Sequence, residues 1–148
     1  MNSNGDKSID ITNCLDRRFL RDGDRYIWKS TVGKFMVTVI PFRTNSDTDC
    51  VRVVVYDCLT DLEVEDWSHW VRCTANWRER LQESVGKAMI RAQHRPSCPL
   101  CTPQQAHQLP LLIRTSVKNN SQFFGCSNYH ALNCRYTISL GRAFELAE

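Results

Sequence analysis

Between Arg25 and Trp67 the chain alternates short apolar runs with polar turns. "RYIWKS" and "GKFMVTVIPF" are rich in β-branched and aromatic residues, which suit a pleated surface, so two strands are expected around the turn "STVG". "CVRVVVYDCL" predicts a third strand, with Val51, Val53 and Val55 on one face and Arg52, Val54 and Tyr56 on the other. "TDLEVEDW" leads out as a short fourth strand. Upstream, "IDITNCLDRRFL" puts Ile11, Leu15 and Phe19 on one side of a short helix, and "RDGDR" is turn chemistry. From about Trp67 to Gln93 the period lengthens. Trp70, Thr74, Trp77, Leu81, Val85, Ala88 and Ala92 recur at threes and fours, which predicts one long amphipathic helix ending before Pro96. Glu83 and Lys87 make a favourable i,i+4 pair on it, and a cap at Thr74 would break it near Cys73. The stripe Trp67, Trp70 and Trp77 is assigned to core packing against the sheet.

Beyond Pro96 the pattern is different. "LPLLIRTSV" and "SQFFGC" read as two strands, each next to cysteines: Cys98 and Cys101 in "CPLC", then Cys126 and Cys134 in "FFGCSNYHALNCRYT". Two thiols separated by two residues form a knuckle that turns both sulfurs toward one ion, and four thiolates complete a tetrahedral structural zinc site. The expected fold class is therefore α+β: a small antiparallel β-sheet with a long amphipathic helix in residues 1–95, followed by a C-terminal zinc ribbon in residues 96–148.

Composition supports metal over disulfides. The chain has 148 residues, 42% of them hydrophobic, which is ordinary for one domain or two small ones. No apolar run approaches the roughly 20 residues of a membrane helix. "MNSNGDKSID" has no apolar core of a signal peptide, so an intracellular, cytoplasmic protein is expected. Spaced cysteines in a reducing compartment mean metal or free thiols more often than disulfides. A unit of about 40 residues with few core aliphatics needs a staple, which Zn2+ supplies. No βαβ pattern surrounds "CPLC" to make it a redox pair.

"CPLC … LPLLIRTS … FFGCSNYHALNCRYT" resembles the C4 zinc-ribbon repeats at the C-terminus of bacterial type IA DNA topoisomerases. Cys98, Pro99, Cys101, Leu112, Arg114, Phe123, Gly125, Cys126, Ser127, Tyr129, Cys134 and Tyr136 fall on that family's pattern, over residues 98–137 only. Thr102 replaces the glycine that usually follows the first knuckle, "PQQAHQLP" is inserted, and His130 stands where proline is usual. His107 and His130 are thus competing ligands to the four cysteines. The resemblance implies binding of single-stranded DNA. It does not imply topoisomerase activity, because the chain is too short for the carboxylate domain and nucleophilic tyrosine of those enzymes.

The charge distribution agrees with a polyanionic partner. The net charge of +3 combines a slightly acidic first part with the span Ser84 to Phe144, which contains no Asp or Glu and seven Lys or Arg. Single-strand binders pair cations along the phosphates with aromatics that stack on bases. The expected nucleic-acid-binding residues are Arg114, Lys118, Phe124, Tyr129, Arg135 and Tyr136, with Arg91 and Arg95 extending the basic track. Phe123 and Phe124 are strand neighbours, so one of them must face the core. Two other readings compete. In one, a small nuclease or DNA-processing enzyme carries Asp57, Glu63 and Glu65 near strand ends and uses the ribbon for targeting. In the other, the ribbon is a protein–protein adaptor. His69 and Cys73, i,i+4 on the expected helix, would form a second metal pair, although Cys50, Cys58 and Cys73 read more simply as small core residues.

Overall fold

Two long strands, β3 (Phe35–Arg43) and β4 (Asp49–Asp57), pair antiparallel along their whole length, from Phe35 opposite Asp57 to Arg43 opposite Asp49. In this computed structural model, which describes residues 9–101, 110–127 and 134–147, they form the middle of a six-stranded antiparallel sheet. β2 (Arg25–Lys29) and β1 (Leu20–Asp22) continue it on one side. On the other side β4 pairs with two short strands: β5 (Leu62–Glu63) at its end, and β6 (His69–Arg72) at its start. The fold class is the α+β arrangement expected from the sequence.

The valines decide which face is covered. Phe35, Val37, Val39, Val51, Val53 and Val55 alternate onto one face and are fully buried. Helix α1 (Trp77–Ala92) lies on that face with Leu81, Val85, Ala88, Met89 and Ala92, spaced at threes and fours. Each large aliphatic side chain fully removed from water contributes about 1.5–3 kcal/mol. The turn after β2 touches the end of this helix. A Cβ on Gly33 would sit 2.0 Å from the Ala92 carbonyl oxygen, so only glycine fits there.

The expected helix from Trp67 is shorter than its periodicity suggested. Glu65–Trp67 is a single 3-10 turn, His69–Arg72 is strand β6, and the helix starts at Trp77 after Asn76 in the left-handed conformation. Pairing of Val71 with Val51 outcompetes the helical pattern, because it adds a ladder to β4 and buries Val71. The tryptophan stripe divides accordingly: Trp67 is core, Trp77 packs at the core's margin, and Trp70 faces out, 56% exposed. The N-terminal helix contracts to the 3-10 turn Thr12–Cys14, with Ile11, Cys14 and Phe19 buried.

The C-terminal part is a three-stranded antiparallel sheet, β7 (Leu111–Thr115), β8 (Gln122–Cys126) and β9 (Thr137–Ser139), followed by helix α2 (Leu140–Ala147). Its inner face carries Leu111, Ile113 and Phe124, which join the same core as the valines and Trp67. Phe124 meets Phe35 at 6.4 Å and Trp67 at 5.9 Å between ring centroids. The Gln122 side chain accepts from the Glu65 amide and donates to the Glu63 carbonyl, tying β8 to the large sheet.

Candidate metal centre

Cys98 and Cys101 follow the end of α1 in a turn held by a bridge between Ser97 and Pro110 and by the Leu111 amide donating to the Pro96 carbonyl. Cys126 ends β8, and Cys134 precedes β9, with the Cys126 amide donating to the Tyr136 carbonyl. The small sheet thus brings together two pairs that are 25 residues or more apart in sequence. The four sulfurs all lie within 4.8 Å of one another, with Cys98, Cys101 and Cys126 buried and Cys134 half-buried.

The separations identify the chemistry. Cys98 and Cys134 are 3.6 Å apart at sulfur, and Cys101 and Cys126 are 3.7 Å apart. A disulfide needs about 2.05 Å. A tetrahedral ion with metal–sulfur bonds of about 2.3 Å has sulfur–sulfur edges of about 3.8 Å. The cluster therefore fits a four-coordinate metal ion, with Cys98, Cys101, Cys126 and Cys134 as ligands. All four positions are filled by protein, which is the closed arrangement of a structural site.

Electrostatics points the same way. The Tyr136 backbone amide and the neighbouring thiols hold Cys134 down at about 7, so this sulfur ionises readily. Its anion accepts from the Cys101 thiol, and this hydrogen bond together with burial drives Cys101 up to about 12. Four crowded thiols cannot all ionise side by side. A divalent cation reverses that repulsion, so metal binding and loss of the thiol protons are coupled.

The outer face of the small sheet forms a groove of about 310 Å³ next to the sulfurs, lined by Arg114, Phe123, Gly125, Cys126, Cys134, Arg135, Tyr136 and Thr137. Gly125 makes room for Arg114 on this surface. A Cβ there would meet the Arg114 side chain at 2.8 Å, and without it Arg114 lies across the strand and donates to the Cys126 carbonyl at 3.0 Å.

Of the residues singled out from the sequence, Arg114, Arg135 and Tyr136 converge on this groove. Lys118 is exposed in the β7–β8 turn and does not line it. Phe124 is a correction: it is completely buried against Phe35 and Trp67 and presents no face to a base, whereas its neighbour Phe123 lines the groove. The strand alternation required one of the pair to be core but did not say which. Arg95 also leaves the basic track, because its guanidinium is buried on Asp57. Tyr129, His107 and His130 lie outside the described residues.

The acidic cluster of the nuclease reading does not form among the described residues. Asp57 is fully buried and accepts from Arg95, from the Leu59 amide and from the Ile113 amide. Glu63 is paired with Arg52 at 2.8 Å. His69 and Cys73 are not a helical i,i+4 pair, because His69 sits on β6 and Cys73 follows it. Burial pushes the His69 imidazole down, and burial with the Asp49 charge pushes the Cys73 thiol up to about 11. Cys50 is a core residue as expected, but Cys58 is exposed. Among the described residues no other group of three or more His, Cys, Asp or Glu side chains converges as the four cysteines do. No described helix is long and apolar enough to cross a membrane. Comparison of the chain with protein-family models, curated proteins and solved structures found no match.

Proposed function

We propose that this chain is a zinc-binding, non-catalytic nucleic-acid-binding protein whose ribbon engages single-stranded DNA. The observation that carries the reading is the groove beside the four sulfurs, where Arg114 and Arg135 flank Phe123 and Tyr136. Two cations and two aromatic side chains on one surface match the chemistry of a strand whose phosphates are neutralised while its bases stack. Zinc is favoured as the ion because four thiolates in a tetrahedral frame suit it, and because it adds no redox chemistry. Its role is to hold β8 and the start of β9 in register, so that Arg114, Phe123 and Tyr136 share one face. The resemblance of residues 98–137 to topoisomerase ribbons supports the same assignment.

The test is fluorescence anisotropy of a labelled oligothymidylate titrated with zinc-loaded protein at several salt concentrations. The slope of log K against log salt should be about −0.7 per phosphate contacted. Arg114→Gln and Arg135→Gln should each weaken binding and flatten the slope by about one contact. Affinity that ignored salt, or that both variants left unchanged, would contradict the proposal.

A further inference from the structure

The far side of the six-stranded sheet, away from α1, carries a second polar cleft of about 380 Å³ lined by Thr44, Asn45, Ser46, Thr48, Trp70 and Arg72. Trp70 and Arg72 are alternate residues of β6, so their side chains leave the same face about 6.6 Å apart. One side of the Trp70 ring rests on Phe42, with centroids 6.1 Å apart and planes tilted by 30°. Even so, the residue stays 56% exposed, which is unusual for the largest apolar side chain. Arg72 is exposed, and its guanidinium has no carboxylate partner among the described residues. The neighbouring arginines on this face and at its end are engaged: Arg52 by Glu63 and Arg43 by Asp49.

The opposite wall is the β3–β4 loop. Its shape is fixed by the Thr44 amide donating to the Thr48 carbonyl and by the Asp47 amide donating to the Thr44 carbonyl. Three hydroxyls line up there, Thr44 to Ser46 at 3.0 Å and Ser46 to Thr48 at 3.4 Å. The cleft lining contains no acid; Asp47, at the loop tip, is not part of it.

We propose that this cleft binds a nucleotide, with its base stacked on Trp70, its phosphate on Arg72, and its sugar hydroxyls along Thr44, Ser46 and Thr48. A planar π-system suits the open face of the indole, and an anion suits an arginine with no acid beside it. A neutral sugar would use the ring and the hydroxyls but would leave the guanidinium unanswered. The cleft is large enough for a nucleotide-sized ligand. It stands on the large sheet and does not depend on the ribbon's role. The same chemistry has two sources, a free mononucleotide or one unit of a single strand.

Titration calorimetry of the zinc-loaded full chain separates them, using thymidine 5′-monophosphate, thymidine and a ten-residue oligothymidylate. The monophosphate should bind more tightly than the nucleoside. Arg72→Gln should weaken it about tenfold and remove that preference. Trp70→Ala should weaken the monophosphate and the nucleoside at least about fivefold. Both positions are exposed, and far-UV circular dichroism checks that each variant is folded. An oligonucleotide bound far more tightly than the monophosphate, and sensitive to Trp70→Ala, assigns the cleft to a strand. Equal affinities assign it to a free nucleotide. The ribbon is scored by the response of oligothymidylate binding to Arg114→Gln and Arg135→Gln, and this cleft by the response of monophosphate binding to Trp70→Ala and Arg72→Gln, so the two can fail separately. Absence of binding by the monophosphate and the oligonucleotide alike, or affinities that neither Trp70→Ala nor Arg72→Gln alters, would overturn the proposal.

Discussion

The Arg95 guanidinium grips both carboxylate oxygens of Asp57, with Nη1 donating to Oδ2 at 3.2 Å and Nη2 to Oδ1. Both side chains are buried, and the guanidinium lies 4.1 Å from the centroid of the Phe35 ring. The same arginine donates to the carbonyls of Gly33, Lys34 and Leu111, and Asp57 also accepts from the Ile113 amide. One ion pair therefore joins the end of β4, the β2–β3 turn and the first strand of the metal-binding sheet. Removing either partner leaves a buried charge without compensation, at a cost of about 3–5 kcal/mol. Arg95→Ala and Asp57→Ala should each lower the free energy of unfolding, read from urea titrations, by an amount of that size. A loss below about 1 kcal/mol would mean that water reaches the pair and that it does not join the two sheets.

Gly33 marks a second close contact, between the β2–β3 turn and the end of α1. Gly33→Ala drives a methyl group into the Ala92 carbonyl, backbone against backbone, so no side chain can move aside. Overpacking of this kind costs about 1–3 kcal/mol or more. The expected outcome is a clear drop in melting temperature, and an unchanged Tm would show that the β2–β3 turn and the helix end are not in contact.

Phe123 and Phe124 give a sharper contrast. Phe124→Ala empties a buried site between Phe35 and Trp67 and should cost about 3–5 kcal/mol. Phe123→Ala, on the groove, should change stability far less while weakening strand binding. Equal destabilisation by the two variants in urea titrations would show that the alternation of β8 is not as described.

The site residues differ in how legible they were, for physical reasons. The four cysteines could be read because their knuckle spacing and paired placement beside two strands leave few other uses for them. Strands β3 and β4 could be read because β-branched residues alternate along them. The start of α1 could not, because Trp67, Trp70 and Trp77 fit a helical period by coincidence while Val71 gains more by pairing with Val51. The pairing of Asp57 with Arg95 was not legible: Asp57 stood out only as a candidate acid in the competing nuclease reading, and Arg95 only as an extension of the basic track. They are 38 residues apart, and no local pattern announces a buried pair. Strand β9 and helix α2 carry no strong signal, since three-residue strands and eight-residue helices are too short for periodicity to register.

Metal affinity should depend on pH in a definite direction. Cys134 ionises at about 7 and Cys101 only at about 12 in the metal-free cluster, so the ion must displace protons from the thiols. Protons compete with metal, and affinity should fall as pH falls. Competition with a chromophoric chelator at pH 6 and pH 8 should give distinctly weaker binding at pH 6. Equal affinities would show that the thiols are not the ligands.

The central claim is that Cys98, Cys101, Cys126 and Cys134 hold one metal ion together. Metal content of the purified full chain, measured by mass spectrometry beside the four single Cys→Ser variants, tests it most directly. The expected result is one zinc per chain in the parent and a large loss of metal in each variant, with Cys14→Ser and Cys50→Ser unaffected. Full retention of zinc when any one of the four is replaced would contradict the four-sulfur site, and retention in Cys134→Ser alone would move that ligand position to a histidine.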